Sequence, residues 1–166
     1  KQNMERKNVT FLTHAAMIAA IYVVLTVVFQ PFSFGEVQVR ISEMLTILPI
    51  FTPAAIPGLF VGCLIGNILG GAVIADIICG SIATLIGAVF TWKLRSCRHF
   101  IAALPPIIAN ICIVPFVLRY AYGVALPIPI MMVTVGVGEV ISCEVLGCIL
   151  ASVLDKYKLQ IWKTAA

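Results

Sequence analysis

Six polar side chains interrupt otherwise lipid-grade sequence: Arg40, Glu43, Asn67, Asp76, Asn110 and Glu139. A charge or amide in apolar surroundings is costly and usually marks a pathway or a ligand site. What these six share is hydrogen bonding: carboxylates accept, a guanidinium donates, and amides do both. Together they could hold a small polar molecule by charge-assisted bonds in a place withdrawn from water. Catalysis is not suggested. No nucleophile stands with a base at helical spacing, and His14 and His99 are isolated, which argues against a metal site. The six cysteines form no Cys-x-x-Cys pair and read as small packing hydrophobes. There is no Gly-x-x-x-x-Gly-Lys-Ser/Thr loop to bind ATP.

Plainer readings stand beside these. Arg40 and Glu43, three apart on a helix, can simply pair with each other. Asp76 can serve only as a helix cap, and Arg119 as an interface anchor. Glu139, between Gly138 and Val140, has no basic partner nearby in sequence. Glu144 lies five residues further, about 140° around a helix of 3.6 residues per turn, so both cannot face one small pocket squarely. The role of Glu144 stays open.

The elements that position these residues are membrane helices. The chain has 166 residues, 61% hydrophobic and 11% charged, with a mean hydropathy of +1.11. Soluble domains carry roughly 25% charged residues. The pattern predicts a single all-α, polytopic domain over residues 1–166 with six spans, at about 9–29, 39–51, 54–71, 73–92, 100–120 and 129–154. The first is expected to be a retained span and not a cleaved signal. The second is short: at ~1.5 Å per residue it reaches only ~18 Å, so one end needs protein or water around it. Residues 30–36 read as a turn-rich loop breaking the helix at Pro31. Prolines 105, 106 and 115 predict kinks in the fifth span.

Nine of the eleven Lys and Arg fall in the first segment, the 93–98 connector and the tail. Six spans place all three on one side, which predicts a multi-pass membrane protein with both termini in the cytoplasm. The polar six then cluster in the outer half, a cup open to the outside. A net charge of +4 spread over three segments is no nucleic-acid footprint. Span one carries Ala15, Ala16, Ala19 and Ala20 as two overlapping Ala-x-x-x-Ala pairs, a flat surface for close helix contact. Spacing alone leaves open whether that contact is within the bundle or with a partner.

The run QVRISEMLTILPIFTPAAIPGLFVGCLIGNILGG, ending at Gly71, resembles the signature region of the queuosine-precursor transporter (QueT-like) family. The likeness is densest over residues 36–71 and returns at Val137–Ile141. The family comprises substrate-binding components of energy-coupling-factor transporters. The resemblance implies that the alanines of span one meet a transmembrane coupling subunit and that two partner ATPases supply energy. It implies a 7-deazaguanine ligand held by Arg40, Glu43, Asn67, Asp76, Asn110 and Glu139, with no cofactor. A guanine-type edge offers adjacent N–H donors that one carboxylate accepts in parallel, and an amide such as Asn67 or Asn110 can serve the carbonyl and ring nitrogens. Phe32, Phe34 or Phe60 could stack on the ring. A binding component for another vitamin-like molecule, or a stand-alone facilitator, are the alternative readings.

Overall fold

The computed structural model describes residues 2–33 and 39–161. Among them there is no strand. The elements, in chain order, are α1 (Gln2–Val28), α2 (Gln30–Ser33), a 3₁₀ helix (Ile41–Ile50), α3 (Ala55–Leu69), α4 (Ile74–Lys93), α5 (His99–Ala102), α6 (Leu104–Tyr120), α7 (Ile128–Glu139), a π-helical segment (Val140–Leu146) and α8 (Gly147–Ile161). Four stretches are long and apolar enough to cross a membrane: Glu5–Val28, Ile74–Lys93, His99–Tyr120 and Ile128–Lys158. Ile41–Ile50 and Ala55–Leu69 are apolar but shorter. Large apolar side chains such as Val24, Ile82, Phe116 and Val133 are exposed along the long helices, as a lipid-facing surface requires.

The end of α1 with Gln30, the turn at 70–73 and the loop at 121–127 gather at one end, here the upper end; Gln30 Nε2 donates to the Gly70 carbonyl there at 3.0 Å, and the Val73 N–H lies 3.4 Å from the Tyr122 hydroxyl. At the lower end His99 meets Asp155 at 3.1 Å, and the Thr91 hydroxyl bonds the Ala102 carbonyl at 2.9 Å. That last bond satisfies backbone freed where the helix breaks at Ala103. The prolines of the fifth span divide the labour: Pro105 and Pro106 open α6, where a missing N–H costs nothing, and only Pro115 lies inside the helix. Pro31 likewise sits within the short helix α2 and does not end in a loop as expected.

The short second span is where the fold departs most from expectation. It is a ten-residue 3₁₀ helix, buried from Ser42 to Pro49 at all but Met44. Runs beyond 3–4 residues are uncommon for this helix, and here tertiary packing sustains it. Leu45 and Leu48 pack with Ile18 and Tyr22 of α1, Leu59 and Cys63 of α3, and Ala88 of α4. On another side Ile47 meets Ala102, Ala103 and Ala151. The bundle is thus wrapped around this segment.

Close approach of α1 and α3 depends on Gly58, Gly62 and Gly66. A Cβ on Gly58 would lie 2.7 Å from the Ala15 carbonyl oxygen, and one on Gly62 would lie 2.8 Å from the Tyr22 Cβ. Ala15 and Ala19 therefore face α3 and are buried, whereas Ala16 and Ala20 point outward and are exposed.

Candidate functional site

All six residues singled out in the sequence are buried, and the structure brings them together in the bundle interior, in two tiers. The upper tier begins with Arg40. It precedes the 3₁₀ helix in an extended conformation (φ −86°, ψ 94°), so its side chain leaves toward α4 and not along the helix toward Glu43. The guanidinium Nη2 donates to Asp76 at 3.2 and 3.1 Å. Asp76 is not the cap of α4, since Val73 holds that position without a side-chain bond. Tyr122, from the loop between α6 and α7, donates its phenol to Asp76 Oδ2 at 3.0 Å. Burial first, then the Asp76 charge, push that phenol above its ordinary pKa, so it stays a donor. Gly80 leaves room for this convergence: a Cβ there would lie 3.2 Å from Asn67 Nδ2 and 3.4 Å from both Arg40 Nη1 and Asp76 Oδ1.

The lower tier, the floor, is built on Glu43 and Glu139. Tyr22 of α1 donates its phenol to Glu43 Oε1, and the Thr84 hydroxyl lies 3.4 Å from the same oxygen. Glu43 Oε2 is buried with no hydrogen-bond partner. Cys143 donates its thiol to Glu139 Oε2 at 3.2 Å and lies 3.5 Å from the Thr46 hydroxyl. The Asn110 side chain neighbours Glu139, and its amide nitrogen has no hydrogen-bond partner. Thr84 also lies 3.4 Å from Cys63, whose sulfur is 3.5 Å from Asn67 Nδ2, so the two tiers are continuous.

Acceptor or donor atoms of Glu43, Glu139 and Cys143 come within 4.8 Å of one another, close enough to hold an ion. Ligation needs the thiolate, whereas this thiol donates a hydrogen bond to Glu139, which suits a hydrogen-bonding floor better than a metal centre.

Arg119 is exposed and bonds the Val124 carbonyl at 3.1 Å, away from both tiers. Glu144 is half-buried, 3.8 Å from the Cys148 sulfur, and joins neither. Phe60 is partly buried on α3, while Phe34 and the Phe32 side chain lie outside the described residues. Tyr22, Thr84 and Cys143 were not foreseen. Helical steps of four hold the clue to two of them: Asp76, Gly80 and Thr84 share one face of α4, and Glu139 stands four before Cys143.

A sequence model described as QueT transporter matches residues 12–156. The chain is also similar to the queuosine precursor transporter QueT of Lactococcus lactis subsp. cremoris (strain MG1363), 33% identical over 85 residues. That alignment covers 50% of this chain, which spans only about half the length of that relative. No solved structure matches. A buried cluster of hydrogen-bonding groups inside an apolar helical bundle suits a membrane carrier, and with the match running from α1 into α8 the chain belongs to the QueT transporter family.

Proposed function

We propose that this chain is the substrate-binding membrane component of an energy-coupling-factor importer, capturing a 7-deazaguanine queuosine precursor outside and releasing it inside. The observation that carries this reading is the floor: two buried carboxylates, one with an oxygen lacking any partner, beside the buried Asn110 amide. A ligand that fills it must bring several N–H donors and at least one acceptor. The guanine edge of a 7-deazaguanine has that pattern. Glu139 accepts the ring N–H and the exocyclic amine in parallel, and the Asn110 amide donates to the carbonyl beside them. Asn67 and the Arg40–Asp76 pair close the site from above. The name of the Lactococcus relative supports the ligand class.

Of the nine described Lys and Arg, the lower end carries seven, Arg40 and Arg119 being the others, so it faces the cytoplasm with both termini. The 3₁₀ helix and α3 complete six spans, the short ones being shielded from lipid by their neighbours. ATP hydrolysis comes from two partner ATPases through a transmembrane coupling subunit, for which α1 offers Ala16 and Ala20. Ala16→Leu should therefore impair uptake while leaving ligand binding by the isolated component intact. Equal loss of both would refute docking at this face.

The experiment that tests the ligand is mass spectrometry of the small molecule retained by detergent-purified protein from cells supplied with queuosine precursors. A 7-deazaguanine mass is expected. A different vitamin-like molecule would overturn the reading.

A further inference from the structure

The relative placement of Glu43 and Glu139 carries more than the presence of two acceptors. Their acceptor atoms lie no more than 4.8 Å apart, and both residues are buried, at 0% and 3% exposure. Two ionised carboxylates so close together repel each other in a medium withdrawn from water. A group that donates to both at once relieves this. The polar neighbours are arranged so that one acceptor remains on offer. Tyr22 donates to Glu43 Oε1 and Thr84 lies beside it, whereas Glu43 Oε2 has no partner although it is fully buried.

Elementary geometry then limits the donor. Two oxygens each about 2.9 Å from one amine nitrogen, along N–H bonds about 120° apart, stand about 5 Å from each other. Glu43 and Glu139 each have an acceptor oxygen within 4.8 Å of the other, inside the reach of such a group. A single planar –NH₂ group fits between them with one hydrogen for each carboxylate.

We propose that Glu43 and Glu139 clamp one exocyclic amine of the ligand. Glu139 takes the ring N–H and one amine hydrogen, and Glu43 takes the other, so Glu43 is the residue that demands a primary, unsubstituted amine. The inference rests on the deazaguanine reading and assigns its 2-amino group to this clamp. Glu43 is held for the task by Tyr22, whose own position is fixed by the α1–α3 contact at Gly62.

The test is a calorimetric titration of the purified full chain with three probes: a 7-deazaguanine, its 2-deamino analogue and its N2-methyl analogue. The parent protein should bind the first at least about tenfold more tightly than either of the others, since a charged hydrogen bond is lost in each. Glu43→Gln should weaken the 7-deazaguanine by about tenfold or more while leaving the 2-deamino analogue nearly unaffected. Equal affinity of the parent for the 7-deazaguanine and its N2-methyl analogue overturns the clamp, and needs no variant to fold. A Glu43→Gln loss of the same size for the amino and deamino ligands also overturns it. Failure of all three probes to bind overturns the deazaguanine reading and the clamp together, which separates the two failures.

Discussion

The upper tier and the floor are made of similar groups, and their charges are settled in opposite ways. Above, Asp76 meets the Arg40 guanidinium at 3.1 Å and a phenol besides. Below, Glu43 and Glu139 lie close to each other, with hydrogen-bond donors but no second cation among the buried described residues. A buried ion pair with its lone pairs satisfied is structural. Two buried carboxylates with an oxygen to spare are a stored cost, of the kind proteins carry where a ligand will offset it. On the proposed reading, the contrast separates groups already paired in the unliganded bundle from groups left for a ligand to pair.

That contrast is open to attack by substitution, starting with the largest effect. Asp76→Asn removes the charge that Arg40 meets in the interior, and breaking a buried pair costs about 3–5 kcal/mol. Thermal unfolding of the unliganded protein in detergent should show a large drop in midpoint. A small drop would mean that the upper tier is no more structural than the floor. Glu139→Gln should do the reverse. Unliganded stability should hold or rise, because one member of a repelling pair is removed, while 7-deazaguanine affinity falls about ten- to a hundredfold. A midpoint as low as that of the Asp76 variant would erase the distinction.

Gly62→Ala reaches the floor indirectly. The added methyl would lie 2.8 Å from Tyr22 Cβ and 3.1 Å from the Ala19 backbone, and overpacking of this sort costs about 1–3 kcal/mol. Because Tyr22 holds Glu43, ligand affinity should fall along with stability; affinity unchanged in a folded variant would detach Tyr22 from the site. Tyr122→Phe should have the smallest effect. It removes one partly exposed bond to Asp76, worth about 1 kcal/mol or less, and Arg40 keeps its partner. A loss approaching that of Asp76→Asn would move the weight of the upper tier from the ion pair to the phenol.

That the six polar residues are buried together was legible in the sequence, and their pairings were not. Charged and amide residues stand out in apolar runs, and the six candidates are buried in one connected cluster, whereas Arg119 and Glu144 lie outside it. Whether Arg40 pairs with Glu43 depends on backbone direction at a single residue. The extended conformation at Arg40 sends its side chain to α4, a fact no local spacing contains. Tyr22, Thr84 and Cys143 were hidden for another reason: their neutral polar atoms cost little in a hydropathy count, although each hydrogen-bonds at the floor. The alanines of α1 show the same limit. Ala15 and Ala16 are equivalent in composition, and only the glycines of α3 decide which of them is covered. The second span was readable as short and apolar, but its 3₁₀ winding is imposed by neighbours on every side, and at ~2.0 Å per residue it runs longer than an α-helix of the same count.

The π-helical segment Val140–Leu146 has a consequence for how this chain can vary. It lies between Glu139, whose carboxylate forms the floor, and Ala151, which is fully buried against Ile47 and Ala102. Its wider winding sets the rotational phase between the half of the helix that carries Glu139 and the half that seals the lower end. Rewinding these seven residues as an ordinary α-helix would swing everything after them by about 100°, whereas removing one residue would let the segment relax to an α-helix with the phase nearly kept. After such a swing Ala151 would turn toward lipid and a bulkier side chain would enter the space it leaves. Natural variation should therefore be generous in side chains at lipid-facing Val140, Ile141 and Val145, and a change of one in the number of residues between Glu139 and Ala151 should come with a change between π and α winding. What this stretch must keep is a rotation, whichever count of residues delivers it.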